Sequence, residues 1–278
     1  MILYRTKDSQ SGDEWVVERE GRVHSVDASL DDLLANGDLQ AKLDAALRGP
    51  TLLGIDENKL LAPVGSQEVW AAGVTYYRSR EARMEESKEA GGGSFYDRVY
   101  MAERPELFYK AQAHKVVGPG GTVAIRDDAR WSVPEPELVL VIDARGKIVG
   151  YTVGNDMSSR DIEGENPLYL PQAKIYDGSC AMGPGILVSG EALPETTRIR
   201  LSIERGGAKQ FGGETTLQQM KRRPEELVAW LYRHQTFKTG CFLFTGTGIV
   251  PPESFTLERG DTIRIGIDGI GTLVNPVG

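Results

Sequence analysis

Cysteine and histidine are scarce in this sequence. The two cysteines, Cys180 and Cys241, are too few for a disulfide framework, and we expect both thiols to be reduced. Only three histidines occur among the 278 residues, so few side chains with a pKa near neutrality are available as a general base. Acid–base chemistry in this chain therefore has to use other residue types.

Long apolar runs and an excess of basic charge are also absent. No stretch approaches the roughly twenty apolar residues that a membrane helix needs, and the first residues lack a signal-peptide pattern. The chain carries 32 Lys and Arg against 40 Asp and Glu, a net charge of −8, which disfavours broad binding to nucleic acid. We expect a cytoplasmic protein that binds neither a membrane nor nucleic acid.

The hydrophobic pattern divides the chain into a small and a large part. Residues 1–64 are typical of a small α/β domain, with short strands, a turn at Glu20-Gly21 and an amphipathic helix over residues 30–47. Residues 65–278 are β-rich, with one main helix at 224–232, and form the larger domain. Its strands are predicted at residues 139–142, 148–153, 186–189, 199–205 and 262–267. The pattern predicts an α+β fold.

Two glutamates stand two residues apart before an apolar run. On a strand, residues two apart point to the same face, so the carboxylates of Glu135 and Glu137 are expected to converge. Two close carboxylates stay ionised together only if a cation neutralises them, and otherwise one takes up a proton. By itself a pair of this kind is more often a solvated strand end than a metal site.

A third acid follows at the end of the next apolar stretch. Residues 143–146 read as a hairpin turn, so the following strand is expected to run back and bring Asp156 near the two glutamates. Three carboxylates without His or Cys favour a hard cation such as Mg²⁺, Mn²⁺ or Ca²⁺ over zinc. The sequence therefore predicts a metal site made of Glu135, Glu137 and Asp156.

Several short motifs, taken together and in this order, resemble the fumarylacetoacetate hydrolase family. The motifs are Glu135-x-Glu137, residues 155–161, Lys174, residues 176–177, Gly183-Pro184, residues 245–248, 260–262 and 269–275. Each motif alone is loose, but the resemblance runs from about residue 69 to residue 275. It implies that the larger domain is the mixed β-roll of the family's C-terminal domain, with its pocket at one end, and that the chain forms a homodimer or homotetramer.

The resemblance also implies a chemistry. In the family, the three acids carry Mg²⁺ or Mn²⁺, which binds the adjacent oxygens of a 2-oxo acid, and a lysine at the position of Lys174 faces that substrate. The physical argument agrees, because a cation on the C2 oxygen stabilises the enolate that forms when a proton leaves C3. Without the family match, Lys174 would be interpreted as an ordinary surface lysine.

One motif departs from the family's hydrolases. They carry a block of the form Gly-x-Asn-Tyr-x-x-His-Ala, whose His helps to activate water, whereas this chain has Thr75 at the Asn position and Ser79 at the His position. Neutral serine is a poor general base by itself. The His that helps to activate water for hydrolysis is therefore missing from this motif, which disfavours a hydrolase.

The residues in and around these variant motifs resemble the sugar-acid dehydratase branch of the family. The matching blocks are residues 76–83, 102–108, 160–174 and 176–184. Enzymes of that branch convert 2-keto-3-deoxy-pentonates, such as the D-arabinonate and D-xylonate derivatives, to 2,5-dioxopentanoate. Dehydration needs a base at C3, a metal on the enolate oxygen and an acid that protonates the departing C4 hydroxyl, but no attacking water.

The resemblance assigns candidate roles to individual residues. Lys174 is the candidate base or proton relay. Glu106 is the candidate acid, although a Glu in this position could also be an ordinary carboxylate at a helix N-terminus. The candidate substrate-binding residues are Arg78, Ser79, Arg160, Asp161, Tyr169 and Thr247.

Two other functions stay open from the sequence. A C–C bond hydrolase of the acylpyruvate or fumarylacetoacetate type, or an oxaloacetate-type decarboxylase, would have the same fold and metal. A non-catalytic member that only binds a dicarboxylate belongs to a different class, and the lysine beside three acids argues against it. The leading prediction is a metal-dependent dehydratase (a hydro-lyase) of pentose catabolism.

Overall fold

Among the described residues, strands are the predominant regular element. The computed structural model describes residues 1–8, 12–77 and 98–278. Their strands are β1 Ile2–Asp8, β2 Gly12–Arg19, β3 Arg22–Val26, β4 Thr51–Leu52, β5 Glu68–Gly73, β6 Glu106–Ala111, β7 Ser132–Ile142, β8 Ile148–Ser159, β9 Cys180–Val188, β10 Arg198–Arg205, β11 Ala208–Thr216, β12 Cys241–Phe244, β13 Thr262–Ile267 and β14 Gly271–Pro276.

These strands form two sheets. Ten of them lie in the order β4-β3-β2-β1-β9-β8-β7-β12-β5-β6, and four form a second sheet in the order β11-β10-β13-β14. The N-terminal strands continue the large sheet, because β1 pairs antiparallel with β9 through Ile2 and Leu3. The sheet thus crosses the predicted boundary between residues 64 and 65, and the division into two domains stays a prediction.

The helices are short and lie between the strands. They are α1 Leu30–Ala35, α2 Leu39–Ala46, α3 Arg160–Glu165, α4 Leu170–Lys174 and α5 Pro224–Leu231, with a further helical stretch at 98–101. The single helix predicted over residues 30–47 is wrong, because α1 ends at Ala35, with Asn36 as its C-cap, and Gly37 has a positive φ of 67°. Glycine adopts this left-handed conformation without steric cost, and it breaks the α-helical hydrogen-bond pattern. The main helix is close to the predicted bounds.

The hairpin of β7 and β8 is the centre of the large sheet. The predicted turn is confirmed, since the amide of Gly146 donates to the carbonyl of Asp143 at 2.9 Å. Both strands are longer than predicted, and β7 is buried along its whole length. Their extensions contain all three predicted metal-binding acids.

Both faces of this sheet are covered by apolar side chains. Leu138 and Leu140 of β7 pack in one hydrophobic cluster, and Val139 and Val141 pack in another on the opposite face. Burial on both faces explains why the β7 sequence is a continuous apolar run rather than an alternating one. The side chains of odd-numbered residues share a face, so Glu135 and Glu137 lie on the side of Val139. The carboxylates are therefore carried into the interior by a strand that is itself buried.

Candidate active site

Three carboxylates converge at the end of the β7–β8 hairpin. In the antiparallel register Glu135 lies opposite Asp156, and Glu137 lies opposite Gly154. One carboxylate oxygen from each of the three acids lies within 4.8 Å of the other two. All three side chains are buried. The pairing register of β7 and β8 thus brings the three carboxylates together, as predicted.

Two predicted cationic residues contact these acids. The buried ammonium of Lys174, at the end of α4, lies 2.9 Å from Glu135 Oε2 and 3.0 Å from Asp156 Oδ2. Arg160, the first residue of α3, places its Nη2 atom 3.0 Å from Glu135 Oε1. Lys174 also donates a hydrogen bond of 2.6 Å to Ser158 Oγ. The surface position that Lys174 would have without the family match is excluded.

Lys110 is a charged neighbour that sequence reasoning missed. It lies on β6, is fully buried, and its ammonium forms an ion pair with Asp156 Oδ1. The available signal was a lysine inside an apolar strand, which needs a partner because an unpaired buried charge is costly. Three buried cations, Lys110, Lys174 and Arg160, thus contact the group of three acids.

Glu137 has the environment that is least favourable for a charged carboxylate. Burial raises the pKa of Glu137 well above its usual range, and the nearby charges of Asp156 and Glu135 raise it further. The amide of Gly246 opposes this effect by donating to Glu137 Oε2 at 2.5 Å. A cation bound among the three acids would favour the ionised form of all of them.

A small polar pocket opens onto the acids. Its lining residues are Ala72, Gly73, Val74, Glu106, Phe108, Glu135, Asp156, Arg160, Glu163, Lys174, Gly246 and Thr247. Glu106 is the first residue of β6 rather than a helix N-terminal residue, so the alternative explanation for this carboxylate is wrong. A Cβ on Gly73 would lie 2.0 Å from Glu106 Oε2, so this glycine leaves room for the carboxylate. Glu163, a buried acid of α3, also lines the pocket and was missed by sequence reasoning.

Two predicted substrate-binding residues, Asp161 and Tyr169, are not part of this lining. Asp161 is half-buried, and its Oδ2 accepts a hydrogen bond from the amide of Arg130 at 2.7 Å. Tyr169 is exposed at 37%. Arg78 and Ser79 lie outside the described residues. A substrate contact by any of the four stays a prediction, whereas Arg160 and Thr247 lie in the pocket wall.

The chemistry of the donor set fits a hard divalent cation. The three converging acids supply only oxygen atoms, and no His or Cys among the described residues belongs to this group. Oxygen-only sites suit Mg²⁺, Mn²⁺ and Ca²⁺, whereas zinc sites commonly contain nitrogen or sulfur ligands. The arrangement can therefore hold such a cation at the base of a pocket.

A comparison with protein families shows to which family the chain belongs. The family described as fumarylacetoacetate (FAA) hydrolase C-terminal matches residues 77–278. The chain belongs to the fumarylacetoacetate hydrolase family. The resemblance predicted from the motifs is thereby confirmed.

Two curated relatives are similar over most of their length. A probable 2-keto-3-deoxyxylonate dehydratase of Haloferax volcanii is 48% identical over 216 residues, which cover 77% of this chain and 73% of the relative. The 2-dehydro-3-deoxy-D-arabinonate dehydratase of Saccharolobus solfataricus is 44% identical over 225 residues, which cover 80% of this chain and 76% of the relative.

A solved structure confirms the fold. It is described as 2-keto-3-deoxy-D-arabinonate dehydratase complexed with magnesium and 2,5-dioxopentanoate, and it matches with a TM-score of 0.87 and 35% identity, covering 100% of this chain and 98% of that one. The predicted α+β fold of the family's β-roll type is therefore correct. Within the residues that the structure describes, none of the helices has the length and apolar character needed to cross a membrane.

Proposed function

We propose that this protein is a metal-dependent hydro-lyase that dehydrates a 2-keto-3-deoxy-pentonate to 2,5-dioxopentanoate. The observation that carries the proposal is the contact of the Lys174 ammonium with Glu135 and Asp156, at 2.9 and 3.0 Å, in the same pocket as Glu106. The dehydratase names of two relatives that are 44% and 48% identical support the same reaction. The small 2-oxo acid is thus the partner that this site is built to bind.

The proposed cofactor is Mg²⁺, with Mn²⁺ as the alternative, held by Glu135, Glu137 and Asp156. Magnesium in a solved relative that is 35% identical supports this choice. When bound, the cation supplies Lewis-acid stabilisation of negative charge on the substrate's 2-oxo group. We also expect a homodimer or homotetramer in the cytoplasm.

The proton steps are assigned to side chains of the pocket. Lys174 accepts or relays the C3 proton as the neutral amine, after its ammonium has passed a proton to Ser158 Oγ at 2.6 Å while the Ser158 hydroxyl passes its own proton to Glu135 Oε1 at 2.9 Å. Glu106 protonates the C4 hydroxyl, which leaves as water while the C3–C4 double bond forms. The resulting 5-hydroxy-3-ene is an isomer of 2,5-dioxopentanoate and reaches it by tautomerisation. The net reaction loses one molecule of water: in the product C3 is again a CH2 group, C4 carries hydrogen in place of its hydroxyl, and C5 has become the aldehyde.

Absence of a water-activating histidine distinguishes this mechanism from hydrolysis. No histidine lines the pocket among the residues that the structure describes. Hydrolysis would need a general base close to an attacking water. Two of the lining carboxylates, Glu135 and Asp156, already pair with the Lys174 ammonium. The proposal therefore predicts elimination without cleavage of a C–C bond.

Proton NMR in deuterated water tests the reaction. The purified protein with Mg²⁺ is incubated with the D and L forms of 2-keto-3-deoxypentonate and, separately, with an acylpyruvate. We expect exchange of the C3 protons and formation of the dioxo acid from one pentonate. Lys174→Met should abolish both steps, whereas Lys209→Met, which changes an exposed lysine of β11, should leave them unchanged. Release of pyruvate from the acylpyruvate, with no dioxo acid from either pentonate, would establish the hydrolase instead.

A further inference from the structure

Lys110 is a buried cation that the proposed reaction does not use. Its side chain is completely inaccessible to solvent, although an ammonium is strongly hydrated in water. Lys110 is not among the residues that line the pocket, so it does not face the substrate. A lysine is kept in such a place only when partners compensate for its lost hydration.

The partners of Lys110 belong to β8 and α4, two of the elements that carry the site. The Lys110 ammonium forms an ion pair with Asp156 Oδ1 and donates to the carbonyl oxygen of Met157 at 3.4 Å, both on β8. It also donates to the carbonyl oxygen of Lys174, the last residue of α4. Two of these contacts are hydrogen bonds, and the third, with Asp156 Oδ1, is an ion pair. Lys110 therefore joins β8 to the end of α4 without entering the pocket.

The two oxygens of Asp156 are divided between two lysines. Oδ1 contacts Lys110, whereas Oδ2 lies 3.0 Å from Lys174. A carboxylate can rotate about its bond to Cβ unless both of its oxygens are held, because this torsion is broad. With Oδ1 held by a buried residue, the carboxylate cannot turn freely, and Oδ2 keeps a fixed direction toward the Lys174 ammonium.

We propose that Lys110 is a positioning residue that orients Asp156 as a metal ligand. The inference rests on the proposed function of the three acids as a metal centre. Groups that hold a ligating carboxylate from behind commonly contribute about 10–100-fold to metal affinity or activity. Lys110 acts on the cation through Asp156 and contacts neither substrate nor cation.

The test measures metal affinity rather than turnover. Mn²⁺ binding to the chelator-treated protein is followed by the electron paramagnetic resonance signal of free Mn²⁺. Lys110→Met should weaken binding about 10-fold or more. Lys115→Met is the matched control, because Lys115 lies five residues away, is exposed and pairs with the exposed Asp177, and it should bind Mn²⁺ as the wild type does.

A double-mutant cycle separates positioning from general damage to the fold. If Lys110 acts through Asp156, then Lys110→Met should cause little further loss in the Asp156→Asn background. A fully additive loss, or unchanged Mn²⁺ affinity in folded Lys110→Met, would overturn the inference. If Lys110→Met does not fold, two other variants replace it in the test. Lys110→Gln keeps hydrogen-bond donors but has no charge, and the double variant leaves no unpaired charge between the two positions. Failure of the wild type to bind Mn²⁺ would instead count against the proposed metal centre.

Discussion

Glu137 combines deep burial with two like charges nearby. The neighbouring Asp156 and Glu135 raise its pKa, and so does burial, the largest of the three causes. The opposing contributions come from Lys174 and from the amide of Gly246. Such a residue contributes little to the stability of the fold, because a buried carboxylate is costly unless it is fully compensated. Its retention is therefore better explained by cation binding than by packing.

Replacing this residue should separate binding from folding. Glu137→Gln keeps the shape of the side chain and removes a ligand charge, so we expect loss of Mn²⁺ affinity and of turnover with an unchanged or slightly higher Tm in chelator. Binding is measured by calorimetry and Tm by circular dichroism. Glu253→Gln, at an exposed position, is the control. Wild-type metal affinity in Glu137→Gln would remove this residue from the proposed ligand set.

Strands β7 and β8 depend on a glycine that allows them to pack closely. Gly154 lies opposite Glu137 and two residues before Asp156. A Cβ at this position would lie 2.3 Å from Phe244 Cε1 and 2.4 Å from Val139 Cγ2, both in the core. Real Cβ atoms do not approach other atoms so closely, so the neighbouring side chains or the strand itself must shift.

Gly154→Ala should therefore disturb both the fold and the metal centre. Overpacking of a buried site typically costs about 1–3 kcal/mol, and we expect a Tm lowered by several degrees together with weaker Mn²⁺ binding. Gly266→Ala is the matched control, since its Cβ would meet Thr272 Oγ1 at an ordinary 3.4 Å. Equal Tm values for the two variants in thermal denaturation would show that the space around Gly154 is not limiting.

The proposed cation site joins parts of the molecule that are distant in sequence. Glu135 and Glu137 lie on β7, Asp156 lies on β8, and Lys174 and Lys110 hold these strands to α4 and β6. The same sheet continues through β9 to the N-terminal strand β1. A ligand that binds only the folded form stabilises the entire fold through these connections.

Mg²⁺ should consequently raise the thermal stability of the whole chain. At about 100 times the dissociation constant, the expected stabilisation is about 2.7 kcal/mol, which corresponds to a Tm increase of several degrees for a protein of this size. Calorimetric scans with Mg²⁺ and with chelator measure the difference. Glu137→Gln should show a much smaller increase. An equal increase in that variant would place the stabilising cation at some other site.

Local sequence was sufficient for the acids and for the hairpin that carries them. The two-residue repeat of a strand places Glu135 and Glu137 on one face, and a four-residue turn returns the chain to Asp156. These relations involve residues that are near one another in sequence, so the sequence pattern is sufficient to predict them. The break between α1 and α2 is also a local feature, but the apolar spacing over residues 30–47 outweighed the signal of Gly37.

The partners of the acids depended on contacts between distant segments. Lys110 meets Asp156 across 46 positions, and Glu163 and Gly73 reach the pocket from different elements. Neither residue spacing nor composition specifies which strand of a ten-stranded sheet lies next to which. That order follows from the burial of apolar faces over the complete chain, a property of the folded molecule. For the same reason Asp161, close in sequence to the site, contacts the Arg130 backbone instead of lining the pocket.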